Sequence, residues 1–219
     1  MLPDRLIAGY RAFLNARLPR ERARFEALAE RQTPEVMVIG CCDSRVSPEV
    51  IFDASPGELF VARNVANLVP PFETQGDFHG TSAALEFAVQ ALRVKHIVVL
   101  GHARCGGIRA FADDSAPLSP GDFIGRWVSL IGPAAERIGP RQGDFSEYLT
   151  RLELATVEQS LENLMTFPCV RILVERGKLH LHGAYFGVAS GVLLVRDPVT
   201  KEFGPAVDGW RPTATIRCT

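Results

Sequence analysis

Two short clusters in this chain carry residue types that bind soft divalent metals. Cys41-Cys42-Asp43-Ser44-Arg45 gathers two thiols, a carboxylate and a guanidinium, and His102-Ala103-Arg104-Cys105 sets an imidazole three residues before a thiol. Zinc takes Cys and His ligands in tetrahedral geometry. A structural site is closed by four protein ligands, whereas a catalytic site keeps three and leaves one position for water. Cys41, His102 and Cys105 supply three, and the His-x-x-Cys spacing puts two of them on one turn. The fourth ligand of a closed site would be Asp43 or Cys42. Cys42 adjoins Cys41, and neighbours leaving a strand point to opposite sides. Asp43 has Arg45 two residues on, a partner that keeps a carboxylate ionised and turned away from a metal. Spacing alone leaves both an open catalytic site and a closed staple standing.

The elements that must position these clusters are legible from pattern. Val36-Met37-Val38-Ile39-Gly40 and Ile97-Val98-Val99-Leu100-Gly101 are apolar runs of strand formers that end in glycine immediately before the ligands. Residues 80–94 read as a helix with Leu85, Ala88, Val89 and Leu92 inward, feeding the strand His96 to Leu100. This is a β-α-β unit, and such crossovers make parallel strands. A second short strand, Leu59-Phe60-Val61, follows a turn at Ser55-Pro56-Gly57-Glu58, and Ser47-Pro48 starts a brief helix. Arg63 to Asn67, before Pro70-Pro71, reads as a loop. Gly106-Gly107 lets a helix start tightly against the second cluster. Residues 113–121 read as a surface loop, 122–165 as two helices broken near Gly139-Pro140, and Pro168 to Arg176 as another. His180 to Val188 and Val192 to Val195 read as a hairpin, and 197–219 as a loose tail. The fold class is α/β, a mainly parallel central sheet covered by helices. Metal ligands at the carboxyl ends of its strands lie where such sheets hold their sites.

Residues 1–35 read as an N-terminal helical arm and 36–219 as the catalytic α/β domain. Leu6, Ile7, Tyr10, Phe13 and Leu14 form one apolar stripe, Phe25 and Leu28 another, with Pro19 dividing two helices. Such an arm is marginal alone and is expected to pack on a partner subunit.

With 219 residues, 47% of them hydrophobic, the chain can bury a full core. Lys plus Arg number 24 against 25 Asp plus Glu, a net charge of −1 that gives no case for nucleic acid or an anionic membrane. No apolar run approaches the roughly 20 residues of a membrane span, and Met1-Leu2-Pro3-Asp4-Arg5 does not read as a signal peptide. Five cysteines (41, 42, 105, 169 and 218) argue against a disulfide scaffold and for a reducing compartment, the cytoplasm. Among the histidines, His79 and His96 are possible proton carriers. His180 and His182 alternate on one strand like a metal pair, although Lys178 and the hairpin favour a solvated face.

Taken in order, Cys41-x-Asp43-Ser44-Arg45, Pro56-Gly57-Glu58, Arg63-Asn64-Val65-Ala66-Asn67 and His102-x-x-Cys105-Gly106-Gly107 resemble the motifs of β-class carbonic anhydrases, closely over roughly residues 30–112. The resemblance implies an enzyme with one Zn2+ per chain that interconverts carbon dioxide with bicarbonate and a proton, built as a homodimer or a dimer of dimers. It implies Cys41, His102 and Cys105 as metal ligands, Asp43 as the group that orients the nucleophile and Arg45 as its partner. The Gly106 amide could contact substrate. In the plant-like type of the family a glutamine nine residues before the first ligand enters the neighbouring pocket, and Gln32 holds that place. Two pocket aromatics fall on Phe60 and Phe87, the latter often tyrosine in the family. The other type carries tryptophan three residues before the first cysteine; here that residue is Val38, so the resemblance implies an open site. Competing expectations are hydrolysis of carbon disulfide or carbonyl sulfide on the same scaffold, and a zinc-stapled binding or redox module.

Overall fold

The computed structural model describes residues 1–75, 79–113, 118 and 121–207. Most of the expected loop 113–121, the tail beyond residue 207 and Cys218 lie outside the described residues.

Six strands form one sheet, β1 (Val36–Cys41), β2 (Leu59–Asn64), β3 (His96–His102), β4 (His180–Phe186), β5 (Leu193–Arg196) and β6 (Phe203–Pro205). The order is β2-β1-β3-β4-β5-β6, parallel from β2 to β4 and antiparallel thereafter. The mainly parallel α/β expectation holds, and the β4–β5 hairpin is present. β6 comes from the segment expected to be loose tail. There Leu194 and Val195 pair with Pro205 and Gly204, so the chain gains a sheet edge that no apolar run announces.

β1 is buried along Met37 to Cys41, because alternate residues feed two different cores. Met37 and Ile39 join Ile97, Val99, Leu85, Val89, Val157 and Leu164 in one. Val38 joins Leu100 and Ala184 in the other.

The helices are α1 (Asp4–Ala12), α2 (Leu18–Glu30), α3 (Pro48–Ile51), α4 (Gly80–Glu86), α5 (Gly106–Ala112), α6 (Phe123–Val128), α7 (Gly132–Ile138), α8 (Phe145–Leu164) and α9 (Pro168–Glu175). Coverage is uneven. α4, the π-helical stretch Phe87–Leu92 that continues it, α8 and α9 cover the first core. On the second face Val36, Leu59, Val61, Val98 and Leu193 are half-buried, with Ile51 of the four-residue α3 beside them. The expectation of a sheet covered by helices is therefore met fully on one face of the single chain.

Three local expectations change. Residues 122–165 make α6, a 3-10 turn, α7 and α8 rather than two helices. Asp122 caps α6 by accepting from the Gly125 amide, and Asp144 caps α8 by accepting from those of Ser146 and Glu147. Arg63 and Asn64 extend β2, and Val65–Asn67 form a 3-10 turn, not a loop. The arm runs helically from Asp4 to Glu30 through a π-helical stretch at Phe13–Arg17. Pro19, lacking an amide hydrogen, is accommodated in the first turn of α2 and does not break it.

No residue of α1 or α2 is buried. One contact of the arm with the domain falls on a glycine. Gly57 has φ +88°, and a Cβ there would come within 2.4 Å of Leu28 Cδ2. Glycine thus both makes the turn and admits the end of α2, next to an Arg24–Glu58 ion pair.

Candidate metal centre

The parallel register brings the two ligand clusters together. Gly40 pairs with Leu100 at the carboxyl ends of β1 and β3, so the chain leaves both strands side by side. Cys41 is 5% exposed, and His102 and Cys105 are fully buried. Their ligand atoms all lie within 4.8 Å of one another. The two sulfurs are 3.9 Å apart, close to the edge of about 3.8 Å that a tetrahedron with Zn–S bonds of about 2.3 Å requires.

The donor set fits zinc on two further grounds. His102 Nδ1 faces the Ala103 carbonyl at 3.0 Å, a contact that places the ring proton there and leaves the Nε2 lone pair bare. Nε2 is buried with no hydrogen-bond partner. In the sulfur pair, the hydrogen bond with Cys105 pulls the Cys41 thiol down to about 4, burial opposing it. Cys105 is pushed up by that same contact, by burial and by the Cys41 charge. One sulfur ionises at the expense of the other, and a dication is what allows both to be thiolates.

Asp43 does not join the donors. Arg45 Nε and Nη2 donate to its two carboxylate oxygens at 2.9 and 2.7 Å, and the Arg45 amide donates at 3.0 Å. These bonds hold the carboxyl well below the usual range, its partial burial opposing them. Its Oδ2 remains 3.9 Å from His102 Nε2. The carboxylate is beside the metal position and fastened away from it.

The loop bearing this pair is tied to β2. Arg63 Nε donates to the Cys41 carbonyl at 2.8 Å and its Nη2 to the Asp43 carbonyl at 2.7 Å. Asn64 bonds both main-chain groups of Leu68, each at 2.8 Å, fixing the 3-10 turn below. Both residues thus act from beneath the site, through main-chain groups of the loop and turn around it. Of the paired glycines, Gly107 requires its identity. A Cβ there would lie 2.6 Å from Val65 Cγ1, whereas one at exposed Gly106 meets nothing within 4 Å.

Glu153 was missed. It lies on the buried face of α8, 1% exposed. Its Oε1 accepts from the Cys105 amide at 2.9 Å, and its Oε2 accepts from the Tyr185 hydroxyl at 2.6 Å. Burial pushes its carboxyl up, against the two hydrogen bonds. A signal existed: Glu153 sits four residues after Leu149 in the apolar stripe Leu149, Leu152, Thr156, Val157, a poor place for a carboxyl without a task.

The other predicted residues lie apart from the donors in the single chain. Phe60 and Phe87 pack with ring centroids 5.9 Å apart, Phe87 being 48% exposed. Gln32 is exposed just beyond α2. Cys42 faces away from Cys41 and lines a cavity of about 690 Å³ with Asn64, Val65, Thr81, Ile124 and Trp127.

The family model described as carbonic anhydrase matches residues 36–193. Beta carbonic anhydrase 3 of Arabidopsis thaliana is 36% identical over 193 residues, 86% of this chain and 74% of that protein. The solved β-carbonic anhydrase CcaA aligns with a TM-score of 0.84 at 29% identity, covering 92% of this chain and 98% of its own. A structure from work on two tetrameric β-carbonic anhydrases of the ascomycete Sordaria macrospora aligns at 0.75 with 30% identity, over 87% of this chain and 94% of its own. The span matched by the family model begins at the first residue of β1 and ends at the first of β5, and so contains all three donors and the Asp43–Arg45 pair. By sequence and by backbone alike, the chain belongs to the carbonic anhydrase family, in its β class.

Proposed function

We propose that the protein catalyses the reversible hydration of carbon dioxide to bicarbonate and a proton, with Cys41, His102 and Cys105 holding one zinc ion. The observation that carries this reading is the pairing of a three-donor set with a carboxylate tied to Arg45 3.9 Å from His102 Nε2. A closed staple would use that carboxylate as its fourth ligand.

Zinc bound there supplies Lewis acidity, lowering the pKa of water at its open position towards neutrality. The remaining work falls to the chain. Asp43 accepts a hydrogen bond from the attacking water and aims its lone pair at the carbon of carbon dioxide. Arg45 keeps Asp43 ionised and turned, so that it accepts and does not ligate. Arg63 holds the loop in register, and Glu153 holds Cys105 from below. The exposed Gly106 amide, next to Cys105, is the donor we assign to a substrate oxygen.

The apolar wall and the neutral donor of the pocket come from a second subunit, through Phe60, Phe87 and Gln32. Their placement apart from the donors, with Phe87 and Gln32 exposed, supports that assignment. A homodimer or a dimer of dimers is supported by the half-covered second face of the sheet, by an arm with no buried residue, and by the tetrameric relatives. We place the protein in the cytoplasm, where a two-thiolate site stays reduced; among the described residues no helix is long and apolar enough to cross a membrane.

Stopped-flow measurement of carbon dioxide hydration by zinc-loaded protein tests the reading, with carbon disulfide and carbonyl sulfide as the competing substrates. Rapid carbon dioxide turnover is expected. Its absence in fully zinc-loaded protein, or turnover confined to the sulfur analogues, overturns the proposal.

A further inference from the structure

The sheet carries a second group of ligand-type side chains at the end opposite the Cys-His-Cys set. His96 opens β3 and is paired in register with His180, which opens β4; His182 follows two residues along. Residues two apart on a strand share a face, and register partners on neighbouring parallel strands share it too. All three imidazoles therefore leave one face of the sheet, the face whose apolar residues are only half-covered in the single chain. The sequence alone favoured a solvated face for His180 and His182. The structure bears that out for exposed His180 and corrects it for His182, which is partly buried and joined to His96.

We propose that His96, His180 and His182 form a second metal site, for a late first-row divalent cation such as Ni2+, Cu2+ or Zn2+. His96 Nδ1 and His182 Nε2 lie 3.1 Å apart. Two nitrogens bound at about 2.0–2.1 Å to one such ion are separated by about 2.8–3.4 Å, depending on whether the geometry is octahedral or tetrahedral. The separation is therefore that of a chelate, and a small turn of the two rings would bring both lone pairs onto one ion. One of the two nitrogens carries the proton they share, and tautomerisation moves it to that ring's far nitrogen, freeing both lone pairs. The His180 ring stacks on that of His96 at 5.3 Å between centroids, and the His182 ring lies 5.3 Å from His96 on another side. His180, at the strand opening, is exposed in the single chain, and a turn of its ring about its side-chain torsions is what would bring in a third nitrogen.

Burial, and then the neighbouring His96 and His180, push His182 below the ordinary histidine range. A ring that is neutral at pH 7 is ready to ligate. Glu35 stands at the same end, its carbonyl accepting from the amides of Lys95 and His96 and its carboxylate paired with Lys95, which fixes the backbone from which His96 projects. The rise of a strand puts His96 about 20 Å from His102 at the other end of β3, so the two sites are separate in space.

The test uses holoenzyme carrying one zinc per chain, titrated with Ni2+ by calorimetry at pH 7.5 and, independently, passed without any tag over immobilised nickel. One additional Ni2+ per chain with a low-micromolar Kd, and retention on the column, are expected. Loss of tenfold or more in affinity is expected for both His182→Gln and the exposed, structurally undemanding His180→Gln, with catalytic zinc content unchanged. Absence of saturable binding overturns the proposal, and so does binding that survives both substitutions or that tracks loss of the catalytic zinc. These readouts do not involve carbon dioxide turnover, so the second site can fail while the catalytic reading stands.

Discussion

Glu153 Oε1 accepts the Cys105 amide at 2.9 Å while its other oxygen accepts the Tyr185 hydroxyl at 2.6 Å. A fully buried carboxylate therefore spans from a metal donor's own backbone to the sheet. Glu153→Leu leaves two buried donors without an acceptor, each costing about 1–3 kcal/mol. It also loosens the Cys105 turn, and loss of such supporting contacts typically costs about 10–100-fold in metal affinity. Glu153→Gln keeps one acceptor oxygen and should cost less on both counts. Urea denaturation and zinc release to a chelator measure the two effects. Zinc retention unaltered in Glu153→Leu would show that the carboxylate serves packing alone.

Asp43 is the group whose removal separates ligation from chemistry. Asp43→Asn should keep its zinc, because no ligand is lost, and should lower kcat/KM by roughly 10²-fold or more, the range of a positioned proton-accepting group. The same variant should alter acid stability. The folded Asp43 carboxyl lies below its unfolded value of about 3.9, so the pair with Arg45 stabilises the fold above that pH. That contribution is lost as pH falls through the folded value. Asp43→Asn should accordingly unfold with a weaker pH dependence below about pH 4. Near-full activity with normal zinc would remove Asp43 from the mechanism.

Much of this site was legible because its chemistry is written in residues that are rare and local. Cys41 and His102 end apolar runs, Cys105 follows three residues on, and β-strand pattern is enough to place strand ends side by side. Asp43 and Arg45 are two residues apart, so their pairing needed no tertiary information. Glu153 was hidden because it lies 48 residues from the amide it holds, and nothing in its own neighbourhood names Cys105. Likewise β6 is held by backbone pairing to β5, which leaves no periodic trace in Phe203-Gly204-Pro205. The half-covered face left no trace for a different reason: Val36, Val61 and Val98 are apolar whether one chain or an assembly covers them, and the two kinds of burial look identical in a sequence.

Zinc removal should destabilise the fold as well as abolish turnover, since Cys41 and Cys105 belong to a further buried cluster, with Leu149, Leu152 and Ile108, and His102 is itself fully buried. With free zinc at about 100 times its Kd, ligation contributes about 2.7 kcal/mol. At about 2–4 °C per kcal/mol for a chain of this size, chelation should lower Tm by roughly 5–10 °C, and added zinc should restore it. Differential scanning calorimetry reads this directly. An unchanged Tm in chelator-treated protein confirmed to lack zinc would contradict the ligand assignment.

His182 predicts a separate pH effect near neutrality. Its folded pKa lies below the ordinary 6.5, first through burial and then through His96 and His180. The unfolded chain therefore binds more protons in that window, and stability rises with pH through it. The contribution is complete above about pH 6.5 and fades as pH falls towards the folded value. Denaturation between pH 5 and pH 7.5 should show this slope in the native chain and a shallower one in His182→Gln. Equal slopes would mean that His182 titrates as an ordinary surface histidine.

Gln32 carries the inter-subunit part of the proposal, and its placement allows a decisive arrangement. The residue is exposed beyond α2, so in its own chain it has no route to the buried donors that the fold makes evident. Gln32→Ala should lower kcat/KM by roughly tenfold, as the loss of one neutral hydrogen bond in a transition state does, without changing zinc content. That result alone would not say whose pocket Gln32 serves. Mixing does. In a hybrid of a Gln32→Ala chain with an Asp43→Asn chain, a glutamine that reaches across the interface meets the intact Asp43 of its neighbour and rebuilds one native pocket. After free exchange of equal amounts, half of the dimers are hybrids with one restored pocket of two, so activity should recover to about a quarter of the native level. If Gln32 acts within its own chain, no pocket in the hybrid is complete, and the mixture should show only the average of the two parent variants.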